Sequence, residues 1–272
     1  MSIQPSIWTN PQLLAVAFSF LPISLSAAAD RPAVFFTDAS HFEIQTGNDG
    51  DGFDLKLQYP TTRTGFSLTL PVAGDWDGDG LDGIGVYDFG AAQFHLRNEC
   101  SPGDDDIIAA FGEGGGGDKG PAVYPIVGDW DGDGTDTIGT YDNVNQRFQL
   151  RNSNTAGPPD LDFVFGLAAS IPVSGDYDGD GDDSIGVYTP ADGTFHLKDT
   201  NTAGAAEIVV QFGPVDGFPI IGDWDGDGVD TIGVLDTTAN EISVRNSHSP
   251  GPADLVIALR TTRWPWRPIA GN

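Results

Sequence analysis

A seven-residue segment rich in aspartate and glycine occurs four times in this sequence, and its spacing limits the folds that the chain can adopt. It reads Gly-Asp-Trp-Asp-Gly-Asp-Gly at residues 74–80, 128–134 and 222–228, with Tyr in place of Trp at residues 175–181. The first aspartates of these segments are 54, 47 and 47 residues apart. Self-similarity at such periods is typical of solenoids and propellers, so the chain is predicted to be a repeat protein.

Each repeat contains four short strand-like pieces separated by turn residues. In the unit at residues 125–166 these pieces are residues 126–129, 137–142, 147–152 and 161–166. Four short antiparallel strands in about 45 residues describe a propeller blade. The corresponding units span residues 70–112, 172–213 and 219–260. A glycine recurs in the second strand, which we interpret as a close approach between neighbouring sheets (Gly85, Gly139, Gly186 and Gly233).

A fifth, incomplete unit precedes the others at residues 33–60. It matches the second, third and fourth strands of a repeat but has neither the first strand nor the Asp-rich loop. The C-terminal residues 267–272 read Arg-Pro-Ile-Ala-Gly-Asn and resemble Leu-Pro-Val-Ala-Gly-Asp at residues 70–75. We therefore expect a single all-β domain over residues 30–272, a five-bladed β-propeller of four-stranded antiparallel blades. A C-terminal strand would close this ring by completing the N-terminal blade.

The N-terminal residues 1–29 resemble a secretory signal peptide. An apolar run at residues 13–25 precedes Ala27-Ala28-Ala29, which offers a small-residue cleavage pattern. The run is too short to span a membrane, so no membrane span is predicted. No Lys or Arg precedes Arg31, however, and an apolar tail without a targeting role is the alternative. The signal interpretation predicts a secreted protein, with the periplasm or cell surface as further possibilities.

The Asp-rich loops have the composition of calcium sites. Carboxylates at positions 1, 3 and 5 of each loop supply alternate oxygens, and glycine at position 6 permits a sharp turn. Nitrogen and sulfur ligands are not nearby in the sequence, which favours a hard cation. We predict about four Ca²⁺ per chain, held by Asp75, Asp77 and Asp79; Asp129, Asp131 and Asp133; Asp176, Asp178 and Asp180; and Asp223, Asp225 and Asp227.

An Asp-x-Asp-Gly-Asp-Gly loop between two short strands resembles the FG-GAP and VCBS repeats of secreted proteins, which are related to the integrin α-subunit propeller. The family usually places a closing carboxylate at position 9, where this chain has Gly83, Thr137, Ser184 and Thr231. Aspartate stands instead at position 8, and we include it in the predicted metal site, either as a ligand or as a contact behind the ligands (Asp82, Asp136, Asp183 and Asp230).

Several other residues could have a functional role, but a structural role explains each of them more simply. The aromatic residues at position 2 are predicted to pack between blades rather than to stack on sugars (Trp76, Trp130, Tyr177 and Trp224). His95 and His196 share one repeat position that other units fill with polar residues, so we expect them to face solvent. Cys100 is expected to be a free thiol without a role. Residues 48–52 resemble the loop but are interpreted as a hairpin turn, and residues 113–120 as a surface loop.

Composition narrows the function. The chain has 272 residues and a formal net charge of −28, which makes a phosphate backbone an unfavourable partner, so no nucleic-acid binding is expected. A single cysteine excludes an intrachain disulfide. We predict a monomeric, calcium-binding module for adhesion to a glycan or protein partner, and not an enzyme. A propeller glycoside hydrolase, which would need a unique carboxylate pair, and a purely structural surface protein are the alternatives.

Overall fold

The computed structural model describes residues 69–101, 103–112 and 123–258 in full, together with four N-terminal strands. Every regular element in this part of the chain is a β-strand, and the strands form four-stranded antiparallel sheets. The N-terminal sheet contains β1 (Leu13–Phe18), β2 (Arg31–Phe36), β3 (His41–Ile44) and β4 (Leu55–Gln58).

Four repeat blades follow the N-terminal sheet. Blade 1 contains β5 (Thr69–Gly74), β6 (Gly83–Asp88), β7 (Gln93–Arg97) and β8 (Ile107–Ala110). Blade 2 contains β9 (Val123–Gly128), β10 (Thr137–Asp142), β11 (Arg147–Leu150) and β12 (Leu161–Val164). Blade 3 contains β13 (Ile171–Gly175), β14 (Ser184–Thr189), β15 (Thr194–Leu197) and β16 (Ile208–Gln211). Blade 4 contains β17 (Phe218–Gly222), β18 (Thr231–Asp236), β19 (Glu241–Val244) and β20 (Leu255–Ala258).

The hydrophobic pattern of each strand follows its place in the blade. The second strand lies between two others and within the propeller, so β6 is buried along its whole length. The third strand alternates between fully and partly buried residues, as β15 and β19 do. The fourth strand forms the outer edge and exposes alternate residues, among them Ile108, Val209 and Val256. Burial is therefore greatest in the second strand and decreases from there to the outer edge of the blade.

The recurrent glycine of the second strand serves packing within one blade. A β-carbon built on Gly85 would lie 2.7 Å from Leu96 Cδ2 and 2.9 Å from Val72 Cγ2, which belong to the two flanking strands. The same clash occurs at Gly139 with Leu150 and Ile126. Our interpretation of this glycine as an approach between neighbouring sheets is therefore wrong, because the crowding comes from the two neighbouring strands of its own sheet.

The core lies between successive blades. In blades 1 to 3 a tyrosine of the second strand packs on a phenylalanine of the third, as in Tyr87–Phe94 and Tyr141–Phe148, whose ring centroids are 4.6 and 4.5 Å apart. Blade 4 has Leu235 opposite Ile242 in this place. The core of blade 1 extends to Ile138 of blade 2, and that of blade 2 to Ile185 and Val187 of blade 3. Because each blade buries its apolar face against the next, an isolated blade would expose it to water.

The prediction of a five-bladed ring closed by a C-terminal strand is wrong. The structure supports four repeat blades of four antiparallel strands, and the N-terminal sheet takes its first strand from the N-terminus. There β1 pairs with β2, from Leu13 opposite Phe36 to Phe18 opposite Arg31. The position beside β2 that the prediction gave to a C-terminal strand is therefore occupied by β1. The apolar run at residues 13–25 is compatible with a buried strand as well as with a signal peptide. The prediction assigned it to a signal peptide and therefore looked for the first strand at the C-terminus.

Strand β1 also bears on the predicted signal peptide. It lies within residues 1–29, next to the inner strands β5 and β17. Cleavage after Ala29 stays a prediction, and it would remove β1 from the N-terminal sheet. The C-terminal segment 267–272, the predicted surface loop at residues 113–120 and the predicted turn at residues 48–52 all lie outside the described residues. Among the described residues, no helix has the length and apolar character needed to cross a membrane.

Candidate metal centre

Each Asp-rich loop connects the first strand of a blade to the second, and its first aspartate organises the backbone. We call these loops 1 to 4 in chain order, in blades 1 to 4. In loop 1, Asp75 Oδ1 accepts the N–H groups of Gly78 and Asp79 at 2.8 and 3.1 Å, and Oδ2 accepts that of Gly80 at 2.7 Å. Gly78 and Gly80 have φ angles of +73° and +84°, a region that favours glycine. Loops 3 and 4 repeat all three bonds, and loop 2 repeats the last two.

The structure brings the carboxylates of positions 1, 3 and 5 together in every loop. In each of the four trios, one oxygen from each side chain lies within 4.8 Å of the other two. The position 1 side chain is half-buried, whereas positions 3 and 5 are exposed. The four trios are Asp75, Asp77 and Asp79; Asp129, Asp131 and Asp133; Asp176, Asp178 and Asp180; and Asp223, Asp225 and Asp227.

Electrostatics within a trio are unfavourable without a counter-ion. Loss of solvation, followed by repulsion from Asp133 and Asp129, raises the pKa of the Asp131 carboxyl. The pKa of Asp225 is raised in the same way, by desolvation and then by Asp227 and Asp223. A carboxylate oxygen that accepts one N–H bond retains a second lone pair. The trios therefore form an all-oxygen donor set that suits a hard divalent cation such as Ca²⁺.

A polar side chain from the loop between the third and fourth strands contacts the trio at position 3. In blade 1, Asn98 Nδ2 donates to Asp77 Oδ2 at 2.8 Å, and the Asn98 backbone N–H donates to Asp106. The side chains of Asn152 and Asn246 likewise hydrogen-bond to Asp131 and Asp225, which counteracts the rise in the pKa of these carboxyls. Blade 3 has Asp199 in this place, and its charge is one of the causes that raise the pKa of Asp178. We call this repeat position the Asn slot.

The residue before the Asn slot fixes the shape of that loop. The guanidinium of Arg97 donates to the backbone oxygen of Asp104 and to Ser101 Oγ at 3.1 Å. Arg151 and Arg245 bond in the same way to backbone oxygens of Pro158 and Pro252. The guanidinium group is therefore bound within its own loop. The next residue in the chain occupies the Asn slot, beside the metal trio.

The position 8 aspartates lie across the boundary between blades. Asp183 Oδ2 of blade 3 accepts the backbone N–H of Asp129 in loop 2 at 2.9 Å, and the Asp183 N–H donates to the Asp129 carbonyl at 2.7 Å. Asp136 and Asp230 make the same pair of bonds with Asp75 and Asp176. We call this reciprocal contact the seam. None of the four trios contains a position 8 carboxylate, and its role as a metal ligand stays a prediction.

The glycine before each of loops 1 to 3 makes room for the seam. A β-carbon on Gly128 would lie 2.7 Å from Asp183 Oδ2 and 2.9 Å from Trp130 Cζ3. Gly74 and Gly175 meet Asp136 and Asp230 in the same way, at 2.6 Å from the Oδ2 atom. The first glycine of the repeated segment is therefore required by the next blade along the chain. The local sequence does not show this reason, because the aspartate that the glycine accommodates belongs to the next repeat.

The position 2 aromatic residues are buried, as predicted. These residues have a relative solvent exposure of only 3–6% and belong to the cores between blades (Trp76, Trp130, Tyr177 and Trp224). They cannot form a sugar-stacking platform in this conformation. The Tyr177 hydroxyl is buried without a hydrogen-bond partner, and burial raises its pKa well above the ordinary value, with contributions from Asp230 and Asp183.

The prediction that His95 faces solvent is wrong. His95 is 3% exposed, and its Nδ1 lies 2.7 Å from Asp105 Oδ2. His196 at the same repeat position is half-buried. Asp105 belongs to the loop that follows β7. The acidic residue ten positions after His95 is therefore the sequence signal for a buried, hydrogen-bonded histidine. Cys100 is a free thiol whose pKa is raised to about 12 by burial and then by Asp82.

Comparison with known proteins gives similar folds but no family. No protein-family model matches the sequence, and no curated protein matches it. Thirteen chains of solved structures match. One is a lectin from Agrocybe aegerita, described as recognising non-reducing terminal N-acetylglucosamine. It is 16% identical with a TM-score of 0.47, and the match covers 93% of this chain and 67% of the lectin chain.

Two further matches are more distant. BBS1N, in a complex with ARL6DN, is 9% identical with a TM-score of 0.38, over 90% of this chain and 72% of that chain. A chain of the Photorhabdus luminescens Tc holotoxin pore is 14% identical with a TM-score of 0.44, over 88% of this chain and 12% of that chain. At these identities and scores, the likeness carries no statement about a ligand or an activity.

Proposed function

We propose that this protein is a secreted, calcium-stabilised repeat propeller of the FG-GAP and VCBS type, and that it acts as a binding module for a glycan or a protein. The convergence of three carboxylates in each of four equivalent loops carries the proposal. When bound, Ca²⁺ would neutralise the repulsion within each trio and fix the loop. The trio at positions 1, 3 and 5 would hold the ion in each loop.

Calcium suits these loops better than the other common cations. The donors that each loop brings together are carboxylate oxygens, which disfavour ions that prefer nitrogen or sulfur. Mg²⁺ demands nearly ideal octahedral geometry and keeps several waters, whereas Ca²⁺ accepts six to eight oxygens in flexible arrangements. Extracellular calcium modules bind at roughly 10⁻⁴–10⁻³ M, which suits a secreted protein.

The same end of the blades would present the binding surface. Loops 1 to 4 and the Asn-slot loops meet there, since Asn98 contacts Asp77 across the two connections. Repeat proteins use such faces of equivalent loops to bind partners. Four divalent ions would offset eight of the 28 net negative charges and leave a surface that still disfavours polyanions. Neutral glycans or basic protein patches are the partners that fit this charge.

Hydrolysis fits the loops less well. A glycosidase uses two carboxylates that differ in environment, one of them held protonated as the general acid. Here the same trio recurs in each of the four blades, so no one of the four trios stands out as a special pair. We therefore expect no turnover of polysaccharides, and assay of a polysaccharide panel tests that expectation.

Calorimetric titration of the metal-free protein with Ca²⁺ tests the proposal directly. We expect uptake of four ions per chain and a melting temperature that rises with calcium and falls with chelator. The double variant Asp129→Asn/Asp131→Asn should lose one ion per chain, and a double variant at exposed acids outside the trios, Asp192→Asn/Asp216→Asn, should lose none. A protein whose calcium uptake is not stoichiometric and whose melting ignores chelator would refute the calcium site.

A glycan array probed with and without calcium tests the binding role. Binding should require calcium only as far as calcium maintains the fold, so the double variant should lose stability before it loses binding. If the variant instead melts like the parent protein but no longer binds, the metal contacts the ligand directly and the stabilising role is wrong.

A further inference from the structure

Blade 3 departs from the other repeats at the position that contacts the metal trio. In blades 1, 2 and 4 the Asn slot offers an amide, and in blade 1 that amide donates to Asp77 at 2.8 Å. Asp199 occupies the slot in blade 3. A carboxylate cannot donate a hydrogen bond when ionised, so Asp199 adds a fourth negative charge beside Asp178 instead of a donor.

One oxygen of Asp199 is left without a partner. Its Oδ1 is buried and accepts no hydrogen bond from any described residue. The amide oxygen of Asn98 is also buried without a partner, so the slot places an oxygen at this depth in both blades. The difference lies in the second atom, which is an attractive N–H donor in Asn98 and a second anionic oxygen in Asp199. A buried, unpaired carboxylate oxygen is costly unless a cation or donor compensates it.

The basic side chain that precedes Asp199 in the sequence is engaged elsewhere. Lys198 precedes Asp199, but its Nζ lies 2.9 Å from Glu207 Oε1 and 3.2 Å from the Ala205 carbonyl oxygen. The ammonium also lies over the ring of Phe165, 5.7 Å from its centroid. His248, which packs edge-on against Tyr177, is held neutral by burial, which lowers its pKa. Neither Lys198 nor His248 therefore supplies a positive charge that would neutralise the Asp199 carboxylate.

We propose that Asp199 is a fourth carboxylate of the cation site in loop 3, and that loop 3 therefore binds calcium more tightly than loops 1, 2 and 4. This inference rests on the proposed calcium function and adds an order of occupancy to it. Affinity of oxygen-ligand calcium sites rises with the number of charged ligands. We expect the dissociation constant of loop 3 to be lower by about tenfold or more, so that blade 3 is loaded first as calcium rises.

Two substitutions in the full chain test this order of occupancy. Titration calorimetry of the parent protein with Ca²⁺ should show one tight site and three weaker sites. Asp199→Asn restores the residue of the other slots, and the tight site should weaken by about tenfold to join the rest. The matched variant Asn98→Asp creates the same four-carboxylate arrangement in loop 1, and it should produce a second tight site.

The outcomes separate this inference from the proposed function. No stoichiometric calcium uptake in the parent protein would overturn both. Four equivalent sites in the parent protein, or a tight site that persists in Asp199→Asn, would overturn the inference alone. Each variant's fold is checked by circular dichroism and melting at saturating calcium. If Asp199→Asn fails to fold, the Asn98→Asp variant still decides, because the absence of a second tight site there would contradict the proposed role of the fourth carboxylate.

Discussion

Replacing Asp183 tests whether the seam between blades 2 and 3 depends on a hydrogen-bond acceptor or on a charge. In the structure, Asp183 Oδ2 accepts the Asp129 N–H at 2.9 Å, while the backbone of Asp183 makes its own bond to the Asp129 carbonyl. Asp183→Ala removes only the side-chain acceptor and leaves the backbone bond. Asp183→Asn retains an oxygen that can accept the same N–H bond but removes the charge.

The expected magnitudes of the two changes differ. Leaving a buried N–H without an acceptor costs about 1–3 kcal/mol, and we expect the lower part of this range because Asp129 is only half-buried. A loss of about 1–2 kcal/mol corresponds to a melting temperature lower by roughly 2–8 °C for a domain of this size. Burial, with repulsion from Asp136 and Asp230, raises the pKa of Asp183, so its charged form is disfavoured in the fold. Asp183→Asn should therefore match or slightly exceed the parent protein in stability.

Thermal melting with excess chelator and with saturating calcium provides the assay. Asp192→Ala is the control, because it removes one negative charge from an exposed position of blade 3 that lies outside the Asp-rich loops and the seam. It should shift stability by no more than about 0.5 kcal/mol. If Asp183→Asn destabilises the metal-free protein as much as Asp183→Ala does, the acceptor argument is refuted. If Asp183→Asn loses stability only in calcium, the position 8 carboxylate is a metal ligand after all.

Three further changes test other parts of the structure. Gly128→Ala should destabilise the protein by about 1–3 kcal/mol in denaturant melts, because its methyl group would overlap Asp183 and Trp130, whereas Gly134→Ala meets no neighbouring atom and should show only the smaller cost of its positive φ. Tyr177→Phe should be neutral or stabilising by up to about 1 kcal/mol, since it removes a buried hydroxyl without a partner, and a clear loss of stability would reveal a partner for that hydroxyl. Deleting residues 1–29 should lower the melting temperature and promote association, because β2 loses one of its two partner strands and becomes an open edge. A truncated protein as stable and monodisperse as the full chain would show that β1 is dispensable.

The repeat made much of the blade predictable. Turn residues and alternating apolar positions marked the four strands of each unit, and the burial of Trp76 and Trp130 followed from their place beside a structural loop in every repeat. Positions 1, 3 and 5 were predictable as one cluster because a loop of five residues brings them together locally. These features depend on residues that are close in the sequence, and their fourfold repetition makes the pattern clear.

Contacts between repeats were not predictable in the same way. The partner of Asp183 lies 54 residues earlier in the chain, and nothing in the loop sequence distinguishes a ligand of its own ion from an acceptor for the previous loop. The strand Leu13–Phe18 was misjudged for a different reason, since a short apolar run has no period that separates a leader from a buried strand. His95 was assigned to solvent from the polarity of its equivalents, although Asp105 gives it a local partner.

The seam has a consequence for how such a chain changes in length over evolution. At each of the three junctions between blades 1 and 4, the earlier repeat supplies a glycine and a position 1 backbone, and the later repeat supplies a position 8 aspartate, as Gly128 and Asp183 illustrate. The two halves of every junction are therefore inherited in different repeats but in fixed orientation. A duplicated or deleted unit meets a complementary half on both sides, so whole blades are exchangeable by recombination while the chemistry of each junction is preserved.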